Sequence, residues 1–114
     1  MEFKVKDHFE NKEKIVSEIY QKLISECEKF GEVTQSPKKT SIHLDAKSGF
    51  AGVYTRKNCL LLHIHTNFEI DSNRIEKTEK ISANRLKHII RIANPSEIDE
   101  QVANWLESAY KLKS

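Results

Sequence analysis

The sequence predicts a two-layer α+β domain: an antiparallel sheet of four to five strands with an N-terminal and a C-terminal helix packed on one face. Two observations predict it. Apolar residues recur at helical spacing near both ends of the chain, and apolar–polar alternation runs through three consecutive segments between them, 40–45, 49–56 and 59–66. With 114 residues there is room for one core, so a single domain over residues 1–114 is expected. Charged residues make up 32% and apolar ones 38%, a balance that suits a folded domain and argues against disorder.

The first helix is predicted over residues 11–30. Ile15, Ile19, Leu23 and Cys27 fall four apart, and Val16, Tyr20, Ile24 and Phe30 widen the same stripe. Asp7 is placed to cap a helix that begins at His8, and Gly31 to follow its last turn. Next, Pro37 pushes Ser36 toward extended geometry and ends an element at Gln35-Ser36-Pro37. In the three alternating segments Ile42, Leu44, Ala51, Val53, Leu60, Leu62 and Ile64 share one face; His43, Asp45, Phe50, Gly52, Tyr54, His63 and His65 share the other. Lys57-Asn58 fits a two-residue hairpin turn. Tight connections pair His43 with Gly52 and Gly52 with His63, and likewise Asp45 with Phe50 and Phe50 with His65.

Segment 67–80 is polar and holds a loop with a short edge strand around residues 75–81. Residues 86–92 read as a further strand, after which Asn94-Pro95 breaks the chain. Ser96 with Asp99 three residues on resembles a capping box for a closing helix over 97–112, whose stripe is Ile98, Val102, Trp105, Leu106 and Ala109. Both helices have only the apolar sheet face to cover, which leaves the histidine face to water.

Several function classes are excluded or disfavoured. There is no glycine-rich phosphate loop and no Gly-x-Ser-x-Gly elbow, and Ser41 two residues from His43 on a strand makes no nucleophile–base pair. No catalytic residue is therefore assigned. Cys27 and Cys59 form no C-x-x-C pair and are expected to be reduced thiols in a cytoplasmic protein. The polar start of the chain, Met1-Glu2-Phe3-Lys4, is no signal peptide, and no stretch approaches a membrane span.

Two constellations remain. His63 and His65, two apart on one strand, point the same way about 7 Å apart, with His43 beyond Gly52. With Phe50 and Tyr54 they form a candidate ligand-binding face. Neither a cysteine pair nor a Glu-x-x-His spacing accompanies them, so no metal or other cofactor is expected. The second constellation is charge. Residues 37–91 carry eleven Lys/Arg against five Asp/Glu, whereas 1–36 carry six against eight and 92–114 two against four. Hairpin pairing brings Lys38 and Lys39 beside Arg56 and Lys57, and Arg85 and Lys87 arrive from the later strand. Cations around exposed aromatics suit a polyanion, nucleic acid above all, held at low affinity.

Val5-Lys6-Asp7-His8-Phe9-Glu10-Asn11-Lys12, Lys39-x-Ser41-Ile42, Phe50-Ala51-x-Val53 and Ile98-Asp99-x-x-Val102-x-x-Trp105-Leu106-x-x-Ala109-Tyr110 together resemble an uncharacterised bacterial family, domain-of-unknown-function family 5655. The resemblance covers nearly the whole chain. It implies a C-terminal module of longer proteins labelled "predicted transport protein", many with a nuclease-like domain upstream. The order of helix, antiparallel strands and closing helix is also similar to small double-wing proteins suspected of binding DNA. The reading that follows is a non-enzymatic binding or accessory module of nucleic-acid or nuclease systems. The alternative is a small-ligand or metal-binding domain that uses the histidine face.

Overall fold

The computed structural model describes residues 3–114; Met1 and Glu2, which open the polar start of the chain, lie outside them. After a 3₁₀ turn at Val5–Phe9 come helix α1 (Lys14–Glu28) and strands β1 (Thr34–Pro37), β2 (Ile42–Asp45), β3 (Gly49–Thr55), β4 (Leu60–Thr66), β5 (Ile75–Ser82) and β6 (Arg85–Ile92). A second 3₁₀ turn, Pro95–Glu97, leads into α2 (Glu100–Lys113). The strands form one antiparallel sheet in the order β1-β2-β3-β4-β6-β5.

The sheet has six strands rather than four or five, and both additions concern its edges. Residues 35–37, expected only to end an element, pair with β2 as β1, where an edge position tolerates the missing N–H of Pro37. The short strand expected near 75–81 is an eight-residue edge strand, β5. Its sequence alternates poorly because it is solvated on nearly all sides.

Apolar alternation places the core where it was expected. Ile42, Val53 and Leu62 are fully buried, and Ile19, Leu23, Ile98, Val102 and Leu106 from the helical side pack into the same cluster. Trp105 only borders that cluster, half-buried at the margin of the α2 stripe.

The helix starts differ from the caps predicted for them. The Asp7 carboxylate accepts the Lys4 N–H at 2.9 Å and closes the 3₁₀ turn instead of capping a long helix. Asn11 then adopts a left-handed φ of 61°, and α1 begins after Glu13, whose N–H donates to Lys57 O at 2.8 Å. At the far end, Asn94 Oδ1 accepts from Ser96 N, so Ser96 lies inside the 3₁₀ turn. Asp99 is the α2 cap, accepting the Val102 N–H at 3.1 Å.

Residues 67–74 are tied down by one buried histidine and one arginine. His88 is completely buried; its Nε2 lies 2.8 Å from Thr66 Oγ1 and 3.2 Å from Phe68 O. A carbonyl can only accept, so Nε2 carries the proton and Nδ1 accepts from the Thr78 hydroxyl at 3.1 Å. Arg74 spans from this loop to Asp99 at 3.0 Å and to the Glu97 carbonyl at 2.7 Å, closing the loop on the start of α2.

Gly31, at φ +150°, holds a backbone conformation that side chains disfavour, and a Cβ there would stand 2.5 Å from Tyr110 Oη. That hydroxyl donates to Glu32 O at 2.8 Å. Gly31→Ala is therefore expected to cost about 1–3 kcal/mol, from strain and displacement of Tyr110. Urea unfolding of the variant checks this, with an unchanged midpoint as the contrary result.

Candidate ligand-binding face

Register decides which side chains meet on the open face. His43 lies opposite Gly52 and Gly52 opposite His63, as the hairpin pairing required. β6 adds the rest, with His65 opposite Lys87 and Leu61 opposite Arg91. Gly52 contributes no side chain, and a Cβ there would meet nothing nearer than His63 Cβ at 3.8 Å. The gap is the floor of a recess of about 220 Å³, walled by His43, Tyr54, His63, His65, Arg85, Lys87 and Ile81.

No helix covers this face, yet it is less open than alternation suggests. The Tyr54 ring stacks on the His63 imidazole with centroids 4.4 Å apart and planes 29° from parallel, leaving His63 only 9% exposed. His65 is half-buried and His43 exposed. Burial, helped by the Lys87 charge, pushes the His63 imidazole down to about 4. Burial does the same to His65, which is also brought to about 4 with Arg85, Lys113 and Lys87 adding to the effect. Both rings are neutral near pH 7, each with one N–H donor and one acceptor nitrogen.

The family model "Domain of unknown function (DUF5655)" matches residues 5–113, from the first 3₁₀ turn to the last residue of α2. The chain belongs to this family. No curated protein and no solved structure is similar enough to match it.

Phe50 is the one candidate ligand residue of this DUF5655 domain that does not reach the open face. The register shifts between Leu44 and Asp45, so that Asp45 faces Gly49 instead of Phe50. The extra residue on β3 turns its side chain to the helix side, as a bulge permits. There Phe50 is fully buried, edge-on to Tyr110 with centroids 5.3 Å apart. Its expected pairings with Asp45 and His65 are absent for the same reason.

The basic residues of the DUF5655 domain fall into two groups. Lys38, Lys39, Arg56 and Lys57, all exposed, occupy the β1–β2 and β3–β4 turns at one end of the sheet. None of them makes an ion pair among the described residues. Arg85 and Lys87 lie toward the other end, where Lys87 Nζ is 2.8 Å from Glu79 and Lys77 shares that carboxylate at 2.9 Å. Those two lysines hold the Glu79 carboxyl down to about 2.

Two site residues escaped the sequence. Lys113, in the last turn of α2, borders the same end of the sheet beside His65 and Arg85. Ile81, 51% exposed, lines the recess from β5. The helix expected over residues 97–112 stopped one residue short of Lys113, and only helix-on-sheet docking shows which strand that residue meets.

Among the described residues no group of three His, Cys, Asp or Glu side chains is arranged to hold a metal ion. Cys27 and Cys59 are free and buried, and burial with Glu26 and Glu28 nearby pushes the Cys27 thiol up to about 12. Among the described residues no helix is long and apolar enough to cross a membrane.

Proposed function

We propose that the domain is a non-enzymatic module that binds a single strand of nucleic acid across the open sheet face, as an accessory to a nuclease-type partner. The observation that carries this reading is the stacked Tyr54–His63 pair lying between two basic groups at opposite ends of the sheet. A base stacks on an exposed aromatic face at little sequence cost, while Lys and Arg neutralise the phosphates on either side. The seven residues of β4 span about 23 Å, enough for about four nucleotides, at the short end of single-strand sites on sheets. Both ends of the sequence, residues 1–36 and 92–114, are net acidic, so approach is one-sided.

The test is anisotropy of labelled single- and double-stranded oligonucleotides at about 50 and 200 mM salt. With about five phosphates neutralised, single-strand affinity is expected to fall about 100-fold between the two. Replacing Lys38, Lys39, Arg56 and Lys57 together by Glu is expected to weaken binding at least about tenfold at low salt. Absence of binding at low salt, or equal binding by the reversed variant, overturns the reading. The recess favours a second reading, a small anionic ligand on the histidine face, which would bind whether or not those four residues are reversed.

A further inference from the structure

The recess floor at Gly52 and a second hollow of about 300 Å³ share one wall, made by His65 and Arg85. Three positive charges bear on that wall. Arg85 and Lys87 come from β6, and Lys113 from the last turn of α2. The Lys113 carbonyl accepts the Lys47 N–H at 2.9 Å, which holds that helix end against the β2–β3 turn. Two carboxylates border the site: Glu79, already shared by Lys77 and Lys87, and Asp45, whose Oδ1 is beside Gly49 at the β2 rim. Arg85 and Lys113 have no ion pair among the described residues.

We infer that the junction at His65 and Arg85 is the seat of a terminal phosphate, a phosphomonoester at the end of the bound strand. The inference rests on the single-strand reading for its source and extends it to the class of end that is recognised. A phosphomonoester carries close to two charges near pH 7 and three strong acceptor oxygens, whereas an internal phosphodiester carries one charge and is blocked by sugar on both sides. Three cations, with Glu79 already shared between two lysines and Asp45 at the rim, match the doubly charged group better. A guanidinium supplies a planar fork of donors to two phosphate oxygens, and a neutral imidazole adds one further N–H. Cationic crowding is already felt by the protein, since burial and the Arg85 charge lower the Lys113 pKa. An anion at the junction relieves that repulsion and makes protonation of His63 and His65 easier.

Oligonucleotides of one sequence with 5′-phosphate, 3′-phosphate or hydroxyl ends, titrated at about 100 mM salt, test this together with a nucleoside monophosphate and inorganic phosphate. One phosphorylated end is expected to bind at least about tenfold tighter than the hydroxyl-ended strand. In Arg85→Ala and Lys113→Ala that ratio is expected to fall to near one. Gly52→Val, which fills the recess floor at a site where a Cβ has room, keeps the test independent of charge and should also remove the preference. On phosphate binding the imidazole resonances of His63 and His65 should titrate at higher pH than their starting value of about 4. Equal binding of all ends overturns the phosphate seat and leaves single-strand binding standing. A nucleoside monophosphate that binds and depends on Arg85, with no oligonucleotide binding, keeps the seat and removes the single-strand reading. Binding of neither removes both.

Discussion

Phe50→Ala is expected to destabilise the domain by about 3–5 kcal/mol, the cost of truncating a fully buried phenylalanine. The ring is wedged between sheet and α2, edge-on to Tyr110 at 5.3 Å, and Tyr110 in turn lies 5.9 Å from Phe30. Deleting it removes apolar burial and loosens the aromatic group that seats the end of α2 beside Gly31. Chemical denaturation of wild type and variant measures the loss. Tyr54→Ala is the informative comparison, since its ring is half-buried on the open face and stacks only on His63. It should cost less stability and weaken oligonucleotide binding. A loss below about 1 kcal/mol for Phe50→Ala, with weaker binding, would return Phe50 to the ligand face.

Acidification from pH 7 to 5 is expected to lower stability by about 2–3 kcal/mol through the buried histidines. His63 and His65 are brought to about 4 in the folded protein, against 6.5 in a solvated chain. A depressed folded pKa means that the unfolded chain takes up protons first. The stabilisation is complete above about 6.5 and is lost as pH falls toward 4. Full shielding would make this about 2 kcal/mol per ring at pH 5, and solvent at the recess mouth brings each nearer 1. Burial lowers the pKa of His88 as well, and its neutral ring holds residues 67–74 to the sheet, so it adds to the same loss. The paired carboxylates of Glu26 and Glu79 act in a lower window, below their usual range, because lysines hold them ionised. Unfolding free energies at pH 7 and 5 for wild type and His63→Gln/His65→Gln check the assignment. The double variant should lose most of the pH dependence, and an unchanged slope would contradict it.

Much of this architecture is legible in the chain because β2, β3 and β4 each bury one face. There the period of two cannot slip by one without exposing Ile42, Val53 and Leu62, so the contacts His43–Gly52–His63 followed from alternation and tight hairpin connections together. Where that constraint weakens, the reading fails. Phe50 stands beside a bulge, and a bulge has no periodic signature; a single extra residue moved a large aromatic from the ligand side to the core. β5 is solvated on both sides, so nothing in Ile75–Ser82 selects a face. The Ser96–Asp99 pattern was a real capping signal displaced by one turn, because Pro95 began a 3₁₀ turn first. Lys113 reached the site through tertiary packing, a step that periodicity does not encode.

The two borders of the sheet bear on how copies of the domain behave when crowded. An unpaired strand border is ordinarily a template on which another chain can add its own strand and begin to aggregate. Here one border is only four residues long and finishes at Pro37, which offers no N–H. The other carries Lys77 and Lys80 and is broken by register shifts near both ends. Neither presents a long, flat, uncharged row of peptide groups. Copies gathered side by side along one polyanion would therefore sit as separate bodies, their sheets unable to fuse into a continuous one.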